Sequence, residues 1–211
     1  MKNSKTDPDP ISDNKTRSRH LRITEPSPWV KRFAALIPEG GAVLDLAAGG
    51  GRHSRFLQGV GHKITAIDRD VSGLATLKDA EIIEADLEST PTPFAKDGPL
   101  HGRRFDAVCV INYLYRPLMD DLVGALAPGG VLLYETFARG NEDFVRPRNP
   151  DHLLKSGELL DLAHGRLQVI AYQHGLDETA EIPGVKERIC AINDLGNSAR
   201  DDGEPTPHPV V

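Results

Sequence analysis

Cysteine is scarce in this chain: Cys109 and Cys190 are the two among 211 residues, each inside an apolar run. A disulfide framework is thereby excluded, and both thiols read as small buried hydrophobes in a reducing compartment. No Cys, His and carboxylate spacing of a metal site is present, so no metal is expected. No long apolar run occurs and the amino terminus is polar, which leaves nothing to act as a membrane anchor or signal peptide. The expected location is the cytoplasm, with no membrane partner. Positive charge is not in excess either: a net charge of −6 argues against a nucleic-acid binder, because phosphate backbones reward a clustered positive surface.

What is present suits one α/β core, with 39% hydrophobic and 27% charged residues. The organising stretch runs Val43-Leu44-Asp45-Leu46-Ala47-Ala48-Gly49-Gly50-Gly51-Arg52-His53. It reads as a buried strand, a glycine turn that lets backbone N–H groups approach a ligand, and a helix whose positive end faces that ligand. Asp45, Gly49 and Gly51 form D-x-x-x-G-x-G, whereas the dinucleotide fingerprint needs a third small residue where Ser54 stands. The spacing favours S-adenosylmethionine over a nicotinamide cofactor, with an NAD(P)-dependent oxidoreductase as the alternative.

Residues 1 to 24 predict a disordered arm, the domain covers 25 to 193, and 194 to 211 form a second loose tail. Ser27 and Pro28 open an amphipathic helix carrying Trp29, Phe33 and Leu36. Lys63 to Asp68 predicts a second strand, and Asp68, about 20 residues past the glycine turn, suits both ribose hydroxyls of a nucleoside. Its alternative is a cap for a helix from Val71. A third strand, Ile82 to Ala85, leads to Asp86-Leu87, a pair suited to an adenine amine and ring. Proline and glycine between 89 and 104 predict an extended crossover. Phe105 to Ile111 is the clearest buried strand and ends in Asn112, Tyr113 and Tyr115, at the edge where open α/β sheets bind ligands. After a helix from Pro117, Pro128-Gly129-Gly130 turns into a strand from Val131 to Phe137. A helix from Gly157, capped by Ser156, precedes two strands, Leu167–Tyr172 and Glu187–Ile192, expected to pair antiparallel.

This order, with the turn Leu126-Ala127-Pro128-Gly129-Gly130-Val131-Leu132, resembles the class I S-adenosylmethionine-dependent methyltransferases across residues 27 to 193. Gly51-Arg52-His53-Ser54 is similar to the Gly-Arg-Asn-Ser run of tellurite-resistance and thiopurine-type small-molecule enzymes. Tyr134-Glu135-Thr136-Phe137 with Gly140-Asn141-Glu142 resembles a bacterial subgroup of unassigned substrate, and Ala48 replaces a cysteine common in the first motif. The resemblance implies a Rossmann-like, doubly wound, mostly parallel sheet with a C-terminal antiparallel hairpin strand. It implies Asp45, Ala47 and Gly49, Gly50 and Gly51 around the methionine end and sugar, Asp68 and Arg69 at the ribose, Asp86 and Leu87 at the adenine, and Asn112 near the methyl-bearing sulfur. From their own chemistry, Arg52 would pair with a carboxylate or is a surface arginine on a helix, His53 would act as base if the nucleophile is protonated or is a structural or solvated residue, and Tyr113 and Tyr115 beside Asn112 would wall the acceptor or are ordinary packing. Arg116, Arg139, Arg146 and Arg148 would suit an anionic substrate if they converge.

The proline-rich tetrapeptide of amino-methylating enzymes is absent after Asn112, and Cys109 lies mid-strand, where it cannot serve a cytosine-C5 reaction. The expected acceptor is a small molecule, anionic or soft, such as a metalloid oxyanion or thiol. A non-catalytic cofactor-binding module is the further alternative.

Overall fold

The computed structural model describes residues 23–180, 183–196 and 200–209. Seven strands form one sheet: β1 (Ala42–Leu46), β2 (Lys63–Asp68), β3 (Glu81–Glu84), β4 (Phe105–Ile111), β5 (Leu126–Phe137), β6 (Gln168–Asp177) and β7 (Gly184–Ile192). Their order is β3-β2-β1-β4-β5-β7-β6. The first five are parallel, and β7 lies antiparallel between β5 and β6, so the Rossmann-like sheet with a C-terminal hairpin is observed. Val43, Leu44 and Leu46 are fully buried because a central parallel strand is covered on both faces.

One face packs under α1 (Pro28–Phe33) and α2 (Arg52–Gly59), with Trp29, Phe33, Leu57 and Leu133 in its core. The other packs under α3 (Met119–Gly124) and α4 (Glu158–Ala163), with Leu122, Leu132, Tyr134 and Leu159. Trp29 anchors α1: its ring meets Phe33 edge-on at 4.7 Å, and its indole N–H donates to the Ile189 carbonyl at 3.1 Å.

Several elements differ from expectation for local reasons. β5 begins at Leu126 rather than Val131: Phe105 pairs with Leu126 and Ala107 with Val131, so the intervening Pro-Gly-Gly residues bulge out of a continuous strand. Ser156 does not cap α4; the Glu187 carboxylate, from β7, accepts from the Leu159 amide at 2.7 Å. After β2, a short 3-10 turn, Val71–Leu74, replaces the expected helix and is capped by Asp70, not Asp68. The expected arm ends earlier than residue 24, since Ile23 is buried against Phe137 and Leu153. Residues 1–22 of that arm lie outside the described residues. The expected tail is partly attached: His208 Nε2 stands 2.6 Å from Asp194 Oδ2.

Candidate active site

The carboxyl ends of β1, β2 and β4 come together on one edge of the sheet, and the glycine turn occupies the gap after β1. Asp45, buried in β1, accepts from Ser54 Oγ at 2.5 Å, which pins the start of α2 to the strand. Burial pushes the Asp45 carboxyl up to about 6, opposed by the Ser54 bonds and the Arg52 charge. Gly51, the residue before α2, has φ +72°, and a Cβ there would meet Leu74 at 2.6 Å. Gly49 has φ +54° with open space where a Cβ would stand, which leaves a cradle for a ligand.

Two non-glycine residues, Ala47 and Asn112, hold left-handed φ values of 57° and 58° at the ends of the neighbouring strands β1 and β4. Backbone held in this sparsely populated region clusters at functional sites. The Asn112 amide nitrogen of the main chain donates to the Glu135 carbonyl at 2.8 Å, while its side-chain Oδ1 is buried without a hydrogen-bond partner. A buried acceptor left open in this way can take a donor from a ligand or from a bound water.

Asp68 accepts from the Gly49 amide at 2.8 Å through Oδ2 and from the Asp70 amide at 3.0 Å through Oδ1. A carboxylate has about four acceptor positions, so capacity for ribose hydroxyls is left. Arg69 beside it is exposed. Leu87 is buried and Asp86 exposed, with Oδ1 accepting from the Glu88 amide at 3.0 Å. The Tyr113 hydroxyl lies 3.5 Å from Glu88 Oε1, on the Asp86 side of the site. Burial, with the nearby Glu88 charge, pushes the Tyr113 phenol well up, so it stays protonated.

Arg52 and His53 face the segment before α1. Arg52 Nη1 donates to the Glu25 carbonyl at 2.9 Å, and His53 Nε2 accepts from the Ser27 amide at 3.2 Å. Burial, then the Arg52 charge, lowers the His53 ring to about 3. The ring expected to be a base is therefore neutral, a very weak proton acceptor with its basic nitrogen occupied.

The four arginines do not converge. Arg116 spends all three side-chain nitrogens on Glu158 and on the Asp151 and Leu153 carbonyls, bracing α4. Arg139 pairs with Glu142 at 3.0 Å, and Arg146 and Arg148 are exposed on the loop that follows.

Residue patterns missed a polar network beside the turn. Glu135, 2% exposed, meets Lys186 Nζ at 2.7 Å and Ser27 Oγ at 2.6 Å, and Arg188 Nε stands 3.2 Å away. Burial works to raise its carboxyl, but Lys186 and Arg188 together hold it below the ordinary value. Its signal was a carboxylate inside an apolar run, Leu132-Leu133-Tyr134-Glu135. Gly73 was missed too: a Cβ there would stand 2.9 Å from the Gly50 Cα, so the turn after β2 packs directly on the glycine turn. Among the described residues no cluster of three or more His, Cys, Asp or Glu suits a metal, and no helix is long and apolar enough to cross a membrane.

A Rossmann-like sheet with a glycine turn after β1 and carboxylates at the ends of β1 and β2 defines a nucleoside-binding methyltransferase class. A methyltransferase-domain family model matches residues 18–176. The chain belongs to this family, the class I S-adenosylmethionine-dependent methyltransferases, and S-adenosylmethionine is its cofactor. No curated protein sequence matches the chain significantly. TehB from Haemophilus influenzae superposes with a TM-score of 0.65 at 17% identity, over 84% of this chain and 65% of TehB. The chain thus spans just under two thirds of TehB. The N-methyltransferase NodS from Bradyrhizobium japonicum WM9, solved with S-adenosyl-L-homocysteine, gives 0.57 at 15% identity over 84% and 97% of the two chains. The 1,6-didemethyltoxoflavin-N1-methyltransferase of Burkholderia thailandensis gives 0.55 at 16% identity, over 88% of this chain and 81% of its own. At these identities the three structures establish the shared fold.

Proposed function

We propose that the chain transfers a methyl group from S-adenosylmethionine to a small, anionic or soft nucleophile, such as a metalloid oxyanion or a thiol, in the cytoplasm. The cradle fits the cofactor in three observations: the open space over Gly49, the acceptor capacity of Asp68, and the unpartnered Asn112 Oδ1. Asp68 would hold the ribose, Asp86 and Leu87 the adenine, Gly49 to Gly51 the methionine end, and Asn112 the region of the sulfur. The bound cofactor supplies an electrophilic methyl, so the protein's work is alignment and exclusion of water.

The observation that carries the acceptor class is the state of His53 and Tyr113. A general base works best with a pKa near the operating pH. His53 is far below it with Nε2 engaged, and Tyr113 is held protonated. With neither able to take a proton, the site suits an acceptor that has already given its proton to solvent at neutral pH, an oxyanion or the thiolate fraction of a thiol. The Burkholderia enzyme of the same fold binds a small molecule, 1,6-didemethyltoxoflavin, which supports a small acceptor here.

A labelled-methyl assay against selenite, tellurite, thiols, phenols and bulk RNA tests this. Label is expected in the oxyanion or thiol arms. Label confined to RNA or to phenols, whose hydroxyls must lose a proton, would overturn the acceptor class.

A further inference from the structure

His53 is the second residue of α2 and 5% exposed, directly after the glycine turn. Its Nε2 accepts from the Ser27 amide, 3.2 Å away. A backbone N–H donates at every pH, so the neutral ring carries its proton on Nδ1. The arrangement is held from behind: Ser27 Oγ donates to Glu135 at 2.6 Å, and Lys186 fastens Glu135 at 2.7 Å. Ser27 is thereby immobilised, and with it the tautomer of His53.

Among the described residues, the buried side-chain atoms without a hydrogen-bond partner are His62 Nδ1, Asn112 Oδ1, Asn141 Oδ1 and Arg188 Nε, the last in an ion pair with Glu135. His53 Nδ1 is not among them and, among the described residues, has no hydrogen-bond partner, so this nitrogen of the 5% exposed residue keeps a small accessible surface. Charged groups act on the ring from three elements: Arg52 on α2, Glu135 on β5 and Lys186 on β7. Two of the three are cationic, and the first turn of the eight-residue α2 adds its own positive end.

We propose that His53 is a fixed, neutral hydrogen-bond donor of the site, presenting Nδ1–H to a carboxylate or oxyanion oxygen of a bound ligand. The proposal deepens the methyltransferase reading and rests on it for the ligand. That oxygen belongs either to the amino-acid carboxylate of the cofactor or to an anionic acceptor. In both cases His53 binds and orients without exchanging a proton. Substitution by Asn keeps a donor, because the Asn amide nitrogen takes the place of Nδ1, whereas Phe keeps the bulk and removes it.

Two measurements test this. Long-range proton–nitrogen NMR of the full chain, with the His53→Phe variant to assign the ring, should show a protonated Nδ1 that does not titrate between about pH 5 and 8. A protonated Nε2, or a midpoint near neutrality, would overturn the proposal with or without a ligand. Calorimetry then compares S-adenosylhomocysteine with methylthioadenosine, which keeps the adenosyl thioether but lacks the aminobutyrate portion and with it the carboxylate, on wild type, His53→Asn and His53→Phe. If the cofactor supplies the oxygen, His53→Phe weakens S-adenosylhomocysteine about tenfold or more while methylthioadenosine is unchanged, and His53→Asn stays near wild type. If the acceptor supplies it, S-adenosylhomocysteine binds all three alike, and selenite added to that complex binds wild type and His53→Asn but not His53→Phe. Equal S-adenosylhomocysteine affinity with no His53-dependent selenite binding would overturn the donor role. Failure of wild type to bind S-adenosylhomocysteine would instead remove the cofactor reading, leaving the tautomer result to judge His53.

Discussion

The Gly49 amide donates to Asp68 Oδ2 at 2.8 Å, tying the glycine turn after β1 to the carboxyl end of β2. One carboxylate thus shapes the cradle and, in the proposed function, would also offer acceptors to a ribose. Asp68→Ala removes both roles and should weaken S-adenosylhomocysteine by about 10- to 100-fold, the range for hydrogen bonds to a charged group. The thermal transition should remain cooperative. Unchanged affinity in calorimetry would count against the ribose assignment.

Asp45 carries a pH signature. Its folded value, about 6, lies above the ordinary carboxyl value, so its contribution to stability is full below the unfolded pKa and is lost as pH rises through about 6. Asp45→Asn has no such titration. Between about pH 4 and 8 wild type should lose up to about 3 kcal/mol relative to the variant. Urea midpoints at both ends of that range measure it, and a pH-independent difference would refute the assignment.

The Glu135 and Lys186 side chains are only 3% and 7% exposed. Glu135→Gln leaves Lys186 buried without its carboxylate and should cost about 3–5 kcal/mol in urea unfolding. Lys186→Met should also destabilise. The double variant should lose less than the sum of the two, since neither side chain then faces an unpaired charge. Strict additivity would show that the pair is not coupled.

Gly184 begins β7 where no side chain fits. A Cβ there would stand 2.2 Å from Asn141 Oδ1 and 3.2 Å from the Phe137 ring. Gly184→Ala should destabilise by about 1–3 kcal/mol through overpacking. A thermal midpoint equal to wild type would show that the Asn141 loop yields freely.

The strands and the carboxyl edge of the sheet were legible because buried parallel strands leave unbroken apolar runs, and the runs ending at Asp68 and Asn112 coincide with the ends of β2 and β4. What escaped was set by distant partners. Ser27 reads as a helix cap, and it is one, but its second bond reaches Glu135 across 108 residues. Local pattern made Ser156 the cap of α4, whereas a carboxylate on β7 does that work. His53 looked like a base because an isolated imidazole titrates near neutrality; burial and the Ser27 amide, neither visible in the sequence, remove that property. Pro128-Gly129-Gly130 signalled a turn, and the structure makes it a bulge because Leu126 already pairs with Phe105.

The most direct test of the cofactor site is calorimetric titration of the full chain with S-adenosylhomocysteine. Saturable one-site binding, abolished or strongly weakened by Asp68→Ala, is the predicted result. A folded protein that takes up no S-adenosylhomocysteine would contradict it.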